Sequence, residues 1–225
     1  MNGILNGIAV DTEYWQDGQK ITPYTITGCS ELSIMYWTNL GKCYNTFEDL
    51  KQILEDPKVP KYFHNAKADL KTLWALGINV QNVAFDTLLA AYILNPLKKG
   101  KYGLKTLVSE LYGHEMIDFH SRFKKGETYK DIYNEDPEIA KTYALEDAMY
   151  TYKLVKKFKP FIDSKFKEVY YDIELPLVAI LAQMEQHGVM VDRERLRALK
   201  DEYQVEANNL EDRLKAIGNP IVGAV

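Results

Sequence analysis

The spacing of the apolar residues changes along the chain, and this change constrains the fold more than any other feature of the sequence. Residues 8–10 and 21–37 are rich in β-branched and aromatic residues, with Gly28 as a break, which predicts two or three early strands. From residue 104 onward, apolar residues recur at helical spacing. Early strands followed by helices predict an α/β fold in which helices cover a sheet.

The middle of the chain carries local signals for further elements. Thr46 followed by Asp49 predicts a capped helix that runs to about residue 56, and Gly77 ends a second helix that contains Leu70. Short strands are predicted at 62–63 and 80–85, and Asp86 stands where a helix N-cap would be. The remaining predicted helices span residues 87–94, 104–112, 137–157, 166–186 and 193–217.

The chain has 225 residues, which suffices for one full α/β domain with a smaller appendage. We predict a boundary near Lys159 and Pro160, where a new helical segment begins. The predicted domains are therefore residues 1–160 and a C-terminal helical extension, residues 161–225.

Charge and composition exclude some functions. A formal net charge of −4 argues against a protein that coats nucleic acid through bulk electrostatics, although residues 98–130 hold eight basic residues against four acidic ones. Taken alone, that segment is typical of a solvated loop and helix face. No apolar run approaches the ~20 residues of a membrane span and no basic leader is present, so we expect a cytoplasmic protein without membrane contact. Cys29 and Cys43 form no CxxC pair and are assigned no function.

Three short segments hold the residues that indicate chemistry. Asp11 and Glu13 lie two apart on a predicted strand, so both carboxylates lie on one face and can share a cation. Asp69 falls in the first turn of a predicted helix, while Tyr143 and Asp147 are four apart on another helix. Each of these signals alone is more typical of exposed acids, a helix-dipole carboxylate or a surface pair.

The order and surroundings of these segments give them weight together. They read Val10-Asp11-Thr12-Glu13, then Phe63-His64-Asn65-Ala66-Lys67-Ala68-Asp69, then Tyr143-Ala144-Leu145-Glu146-Asp147-Ala148. Together they resemble the three motifs of the DEDD exonucleases with a tyrosine in the third motif, specifically the proofreading domain of family A DNA polymerases. Residues 85–94 also resemble that family. Residues 173–192 are similar to the start of its polymerase region, a continuation that ribonuclease D lacks, so the resemblance covers about residues 8–200.

The resemblance implies a ribonuclease H-like mixed β-sheet flanked by α-helices. It also implies that Asp11, Glu13, Asp69 and Asp147 are catalytic residues that hold two Mg²⁺ or Mn²⁺ ions. One ion would activate a water molecule that Glu13 and Tyr143 orient, and the other would stabilise the leaving 3′ oxygen. The products would be a nucleoside monophosphate and a shortened strand with a 3′-hydroxyl end.

Residues beside these acids are predicted to contact the 3′ end of a single DNA strand: Thr12, Tyr14, Asn65 and Lys67. Tyr14 and its neighbour Trp15 either stack on the last bases or belong to the core. Asn65 either contacts the terminal nucleotide or holds a local turn.

Three features near these residues have less direct roles. His64 is interpreted as a hydrogen-bonding loop residue because hard cations disfavour imidazole, and Asp86 as an N-cap. The basic segment 98–125, with Tyr102 and Phe123, is predicted to flank the DNA backbone.

The leading hypothesis is a 3′-5′ exodeoxyribonuclease that proofreads. Residues after about 173 are too few for a polymerase, so polymerisation would come from another polypeptide, or the chain is a stand-alone nuclease. The apolar faces of helices 166–186 and 193–217 would then dock a DNA polymerase subunit. One alternative is a ribonuclease D-like RNA exonuclease. Another is a catalytically idle adaptor, which is disfavoured because none of the four acids or Tyr143 is replaced.

Overall fold

The computed structural model describes residues 7–18, 20–98, 101–117 and 127–217. Within them, a mixed five-stranded sheet is flanked by helices, which confirms the predicted α/β class. The strands are β1 (Ile8–Asp17), β2 (Lys20–Cys29), β3 (Ile34–Thr38), β4 (Lys61–Phe63) and β5 (Val83–Asp86). Their order across the sheet is β3-β2-β1-β4-β5. Strands β1, β2 and β3 pair antiparallel, whereas β1 pairs with β4, and β4 with β5, in parallel.

The described helices lie largely where the sequence predicts them. They are α1 (Phe47–Glu55), α2 (Ala66–Ala75), α3 (Thr87–Leu94), α4 (Leu104–Tyr112), α5 (Tyr129–Glu135), α6 (Pro137–Lys165), α7 (Leu175–His187) and α8 (Arg193–Ala216). Thr46 and Asp49 form the predicted capping box of α1, and α3 and α4 have the predicted bounds. The sequence did not predict α5, because its seven residues are too few to show a helical period.

Gly28 does not break the second strand as predicted, since β2 continues through it to Cys29. A Cβ atom at this position would lie 2.6 Å from Cδ1 of Ile8 and 3.0 Å from Cε of Met35. Glycine is therefore needed here because neighbouring side chains approach the backbone closely.

Two helix boundaries also differ from the prediction. Helix α6 continues through Pro160 to Lys165, with Phe158 and Ile162 buried on either side of the proline. The predicted helix 166–186 is interrupted by a π-helical turn, Val169–Glu174. This turn contains Tyr170, which is fully buried and whose hydroxyl donates to the backbone oxygen of Asp86 at 2.9 Å.

The alternation of side chains along β1 divides the core into two layers. Ile8 and Val10 face α1 and α2, whereas Ala9 faces the layer that contains α3, α4 and α6. Asp11 and Glu13 continue the face of Ala9, and Thr12 continues the opposite face. The strand therefore presents its acids towards α6 and its threonine towards α2.

Contacts divide the chain into two compact units, Met1–Gln186 and His187–Val225. The second unit contains α8, in which no described residue is buried. The division at residue 160 stays a prediction. In the described part of the chain, no helix is long and apolar enough to cross a membrane.

Candidate active site

Helix α6 approaches the sheet closely because small residues line its inner face. Ala140, Ala144 and Ala148 are spaced four apart and are fully buried. The hydroxyl of Thr27, on β2, lies 3.0 Å from the backbone oxygen of Ala144. This close packing brings Asp147, one residue before Ala148, to the acidic face of β1.

Asp11, Glu13 and Asp147 form one group, hereafter the acidic cluster. One carboxylate oxygen from each of the three residues lies within 4.8 Å of the other two. Oδ1 of Asp147 is buried and has no hydrogen-bond partner in the structure. Clustered carboxylate oxygens, one of them unsatisfied, are a suitable donor set for a hard divalent cation such as Mg²⁺ or Mn²⁺.

The electrostatics of the acidic cluster support this interpretation. Burial is the main reason that the pKa values of Asp11, Glu13 and Asp147 lie well above their ordinary range. Repulsion between carboxylates raises them further: Glu13 is affected by its two partners in the cluster and by Asp69. A bound cation would offset both the desolvation and the repulsion.

Asp69 lies outside the acidic cluster but close to it. It is buried in the first turn of α2, and its Oδ1 accepts hydrogen bonds from the backbone N–H of Thr12 at 3.0 Å and the Thr12 hydroxyl at 2.8 Å. Burial raises the pKa of Asp69. Thr12, predicted to contact substrate, thus ties the first sequence motif to the second, while its neighbours Asp11 and Glu13 face the other way.

Tyr143 is half-buried one helical turn before Asp147 and packs beside the aromatic cluster of Tyr24 and Tyr129. Nζ of Lys105, in the first turn of α4, lies 5.0 Å from the centre of the Tyr143 ring. The charge of Lys105 lowers the pKa of Glu13 and of Asp147, although burial dominates at both. Sequence reasoning counted Lys105 only as part of a basic segment, because no motif marks it.

Asp86 confirms its predicted N-cap role and extends it. Oδ1 accepts from the backbone N–H groups of Leu88 and Leu89 at the start of α3, at 2.9 and 3.3 Å. The same carboxylate accepts from Asn65 at 3.1 Å and from Ala66 at 2.8 Å, at the start of α2. One buried carboxylate therefore caps two helices.

His64 and Asn65 complete this region, hereafter the Asp86 junction (His64, Asn65, Ala66, Asp86 and Thr87). Nδ1 of His64 lies 2.8 Å from the hydroxyl of Thr87, and burial lowers the His64 pKa to about 4. Asn65 has φ 70° and makes no side-chain cap bond, so its amide is not used to hold the helix. The hydrogen-bonding role predicted for His64 agrees with these contacts.

Tyr14 and Lys67 differ in their surroundings. Burial raises the pKa of Tyr14, and repulsion from Asp69, Glu13 and Asp11 adds to it, which indicates that its hydroxyl lies near these acids. Nζ of Lys67 lies 2.5 Å from Oε1 of Glu185 on α7. Lys67 is therefore paired with an acid in this structure.

The other aromatic residues considered for DNA contact have mixed positions. Trp15 is 46% exposed, so it is not a core residue. Tyr102 is buried in the core, and its hydroxyl donates to the backbone oxygen of Asn95 at 2.8 Å. Phe123 lies outside the described residues.

The chain is similar to known proteins over most of its length. The family model DNA_pol_A_exo1, described as a 3′-5′ exonuclease, matches residues 4–163. DNA polymerase I of Chloroflexus aurantiacus is 32% identical over 179 residues, which are 76% of this chain and 18% of that protein. The chain thus spans less than a fifth of that relative.

Two solved structures resemble the fold. The POL domain of Pol1 from M. smegmatis, in complex with DNA primer-template and dNTP, has a TM-score of 0.68 at 22% identity, over 96% of this chain and 34% of that one. Escherichia coli RNase D, an exoribonuclease involved in structured RNA processing, has a TM-score of 0.61 at 20% identity, over 89% of this chain and 50% of that one. These likenesses show the fold, which is the predicted ribonuclease H-like fold.

Proposed function

The chain belongs to the DNA_pol_A_exo1 family of 3′-5′ exonucleases, and we propose that it removes nucleotides one at a time from the 3′ end of single-stranded or frayed DNA. The observation that carries the proposal is the acidic cluster, in which oxygens of Asp11, Glu13 and Asp147 lie within 4.8 Å of one another. Asp11 and Asp147 are 136 positions apart in sequence, and the fold brings them together although the clustered carboxylates repel one another.

The proposed residues divide the chemistry among them. Asp11, Glu13, Asp69 and Asp147 would hold the divalent ions, which supply Lewis-acid activation of water and neutralise phosphate charge. The Glu13 carboxylate accepts a hydrogen bond from the attacking water, and the Tyr143 hydroxyl orients that water towards phosphorus. The water oxygen bonds to phosphorus and gives up a proton as the bond from phosphorus to the 3′ oxygen of the preceding nucleotide breaks, and that 3′ oxygen gains a proton. A nucleoside 5′-monophosphate leaves, and the remaining strand ends in a 3′-hydroxyl.

Substrate contacts are proposed for the residues that surround these acids. Tyr14, which lies near Asp69, and the exposed Trp15 would contact the last base and sugar. The Asn65 amide, which makes no cap bond, is available for the terminal nucleotide. The Lys67 ammonium is paired with Glu185, so a contact with DNA phosphate would use its remaining N–H donors or replace that ion pair.

The test is degradation of 5′-labelled single-stranded DNA in Mg²⁺ or Mn²⁺, beside an RNA strand of the same sequence. We expect a ladder that shortens by single nucleotides, that stops with chelator, and that is absent with Asp69→Ala or Asp147→Ala. Faster degradation of the RNA strand would support a ribonuclease instead. Degradation by the variants at the wild-type rate would contradict the assigned site.

Proofreading is the proposed role because the relatives matched in sequence are named DNA polymerase I. Polymerisation would come from residues or a polypeptide outside this chain. A stripe of exposed apolar side chains on α7, formed by Leu177, Ile180, Leu181 and Met184, would contact that polymerase region. Co-elution of the chain with a polymerase region on gel filtration, lost in Leu181→Lys, tests this contact; no shift in elution would count against it.

A further inference from the structure

Lys105 is a basic residue that lies beside the acidic cluster but outside all three sequence motifs. Its ammonium group is 5.0 Å from the centre of the Tyr143 ring, and Tyr143 precedes Asp147 by one helical turn. Its charge acts on both Glu13 and Asp147. Lys105 therefore faces the place where three motif residues meet.

The local requirements of helix α4 do not favour a lysine at this position. Leu107 and Val108 are buried and Leu104 packs beside them, so these apolar residues attach α4 to the core. Lys105 itself is half-buried in the first turn of α4, where the helix dipole disfavours a cation. A glutamate or glutamine there would serve the helix better.

We propose that the Lys105 ammonium donates a hydrogen bond to a non-bridging oxygen of the terminal phosphodiester, which makes Lys105 a further substrate-contacting residue of the reaction. The proposal rests on the proposed function, because it needs a phosphodiester beside Tyr143 and the acidic cluster. It assigns to α4 a role in substrate binding that the motifs do not include.

Charge and reach both favour this role. The substrate strand is an anion that must approach several carboxylates in a chain whose net charge is −4, so a local cation offsets the repulsion. The contact with the Tyr143 ring holds the flexible lysine stem on the side of the water-orienting tyrosine. The phosphate that this water attacks must lie within reach of the same tyrosine.

The experiment compares Lys105→Met and Lys105→Arg with wild type. The control is Lys153→Met, because Nζ of Lys153 also lies over a tyrosine ring, that of Tyr150 at 4.3 Å, but Lys153 is not among the charges that shift the pKa of Glu13 or Asp147. Binding of a fluorescent single-stranded oligonucleotide is measured by anisotropy in Ca²⁺ over a salt series, and kcat and KM are measured in Mg²⁺.

For Lys105→Met we expect kcat/KM to fall about 10- to 100-fold, as for loss of a charge-assisted hydrogen bond. We also expect the slope of log Kd against log salt to decrease by the amount that corresponds to one lost phosphate contact. Loss of packing alone would not change this slope. Lys105→Arg should recover most of both quantities, and Lys153→Met should match wild type.

Wild-type binding, salt slope and kcat/KM in Lys105→Met would overturn the inference while the exonuclease assignment stands. Should that variant melt at a much lower temperature, Lys105→Gln replaces it, since glutamine suits a half-buried helical position, and the same criteria apply. A wild-type protein that neither binds nor shortens DNA or RNA would overturn the proposed function, and this inference with it.

Discussion

The acidic cluster, whose three residues are half-buried, and the Asp86 junction, whose carboxylate is buried, both lie near the same end of the sheet, but their carboxylates have opposite surroundings. The Asp86 carboxylate accepts four backbone N–H groups from the starts of two helices. In the acidic cluster, three carboxylates face one another and Oδ1 of Asp147 has no partner. The first arrangement stabilises the fold, and the second costs stability unless something else binds there.

This difference lets us predict, without reference to motifs, which acids are structural and which are functional. Burial raises the pKa at both places, but at Asp86 four hydrogen bonds to the charged form oppose the effect. At the acidic cluster, repulsion between carboxylates adds to burial. Mutations in the acidic cluster should therefore lower activity more than stability, and mutations at the Asp86 junction should lower stability more than activity.

Asp11→Asn should have the largest effect. Removing one charge from the acidic cluster should lower kcat/KM for single-stranded DNA by about 10³-fold or more, because cation binding contributes several kcal/mol to such reactions. The melting temperature without divalent ions should stay the same or rise, since repulsion is relieved. A large loss of stability in chelator would instead show that Asp11 is a structural acid, as Asp86 is.

Asp86→Ala should reverse that pattern. Four N–H donors at two helix starts would lose their acceptor, which should lower the free energy of unfolding by about 3 kcal/mol. Turnover per folded molecule, measured well below the melting temperature, should fall far less than for Asp11→Asn. Asp86→Asn retains one acceptor oxygen and should lose less stability than the alanine variant.

Divalent ions should stabilise the protein through the acidic cluster and Asp69. At a Mg²⁺ or Mn²⁺ concentration 100 times Kd, mass action predicts a gain of about 2.7 kcal/mol, which chelator should reverse. Thermal unfolding with and without metal measures this gain. It should persist in Asp86→Asn and largely disappear in Asp11→Asn, and equal gains in both variants would place the ion elsewhere.

The smallest expected effect concerns His64, at the Asp86 junction. Its pKa is about 4 in the folded chain against an ordinary 6.5, so the unfolded chain binds the proton more tightly between these values. Protonation of His64 in the unfolded chain therefore lowers the free energy of unfolding as pH falls from 6.5 towards 4, by about 2 kcal/mol near pH 5. Denaturant unfolding of wild type and His64→Gln against pH measures it, and identical pH slopes would show that His64 is not buried as a neutral base.

Sequence patterns predicted the fold class, the family and most helix bounds because these depend on local signals. Thr46 with Asp49 and the apolar run of α3 are examples, since capping and helical period act over a few residues. Gly28 was misread because its need for glycine comes from Ile8 and Met35, which are distant in sequence. The π-helical turn was missed for the same reason, as Tyr170 reaches the backbone of Asp86.

The site was predictable in part for the same physical reason. Asp11 and Glu13 share a face because strands alternate, and Tyr143 and Asp147 share one because helices repeat. The ion pair between Lys67 and Glu185 and the position of Lys105 depend on how α7 and α4 pack, which no local pattern encodes. The catalytic and metal-binding roles of the motif residues stay predictions until the variants are measured.

The π-helical turn at Val169–Glu174 also sets the rotation of α7 about its helix axis. Each residue of an α-helix advances the chain by about 100°, so the extra residue in the wider turn rotates everything that follows about the helix axis. The stripe from Leu177 to Met184 points where it does because of that added rotation. Deleting one residue from the turn would rotate α7 about its axis, so the stripe would face a different direction relative to the sheet. The direction from which a polymerase region could approach the nuclease would change with it.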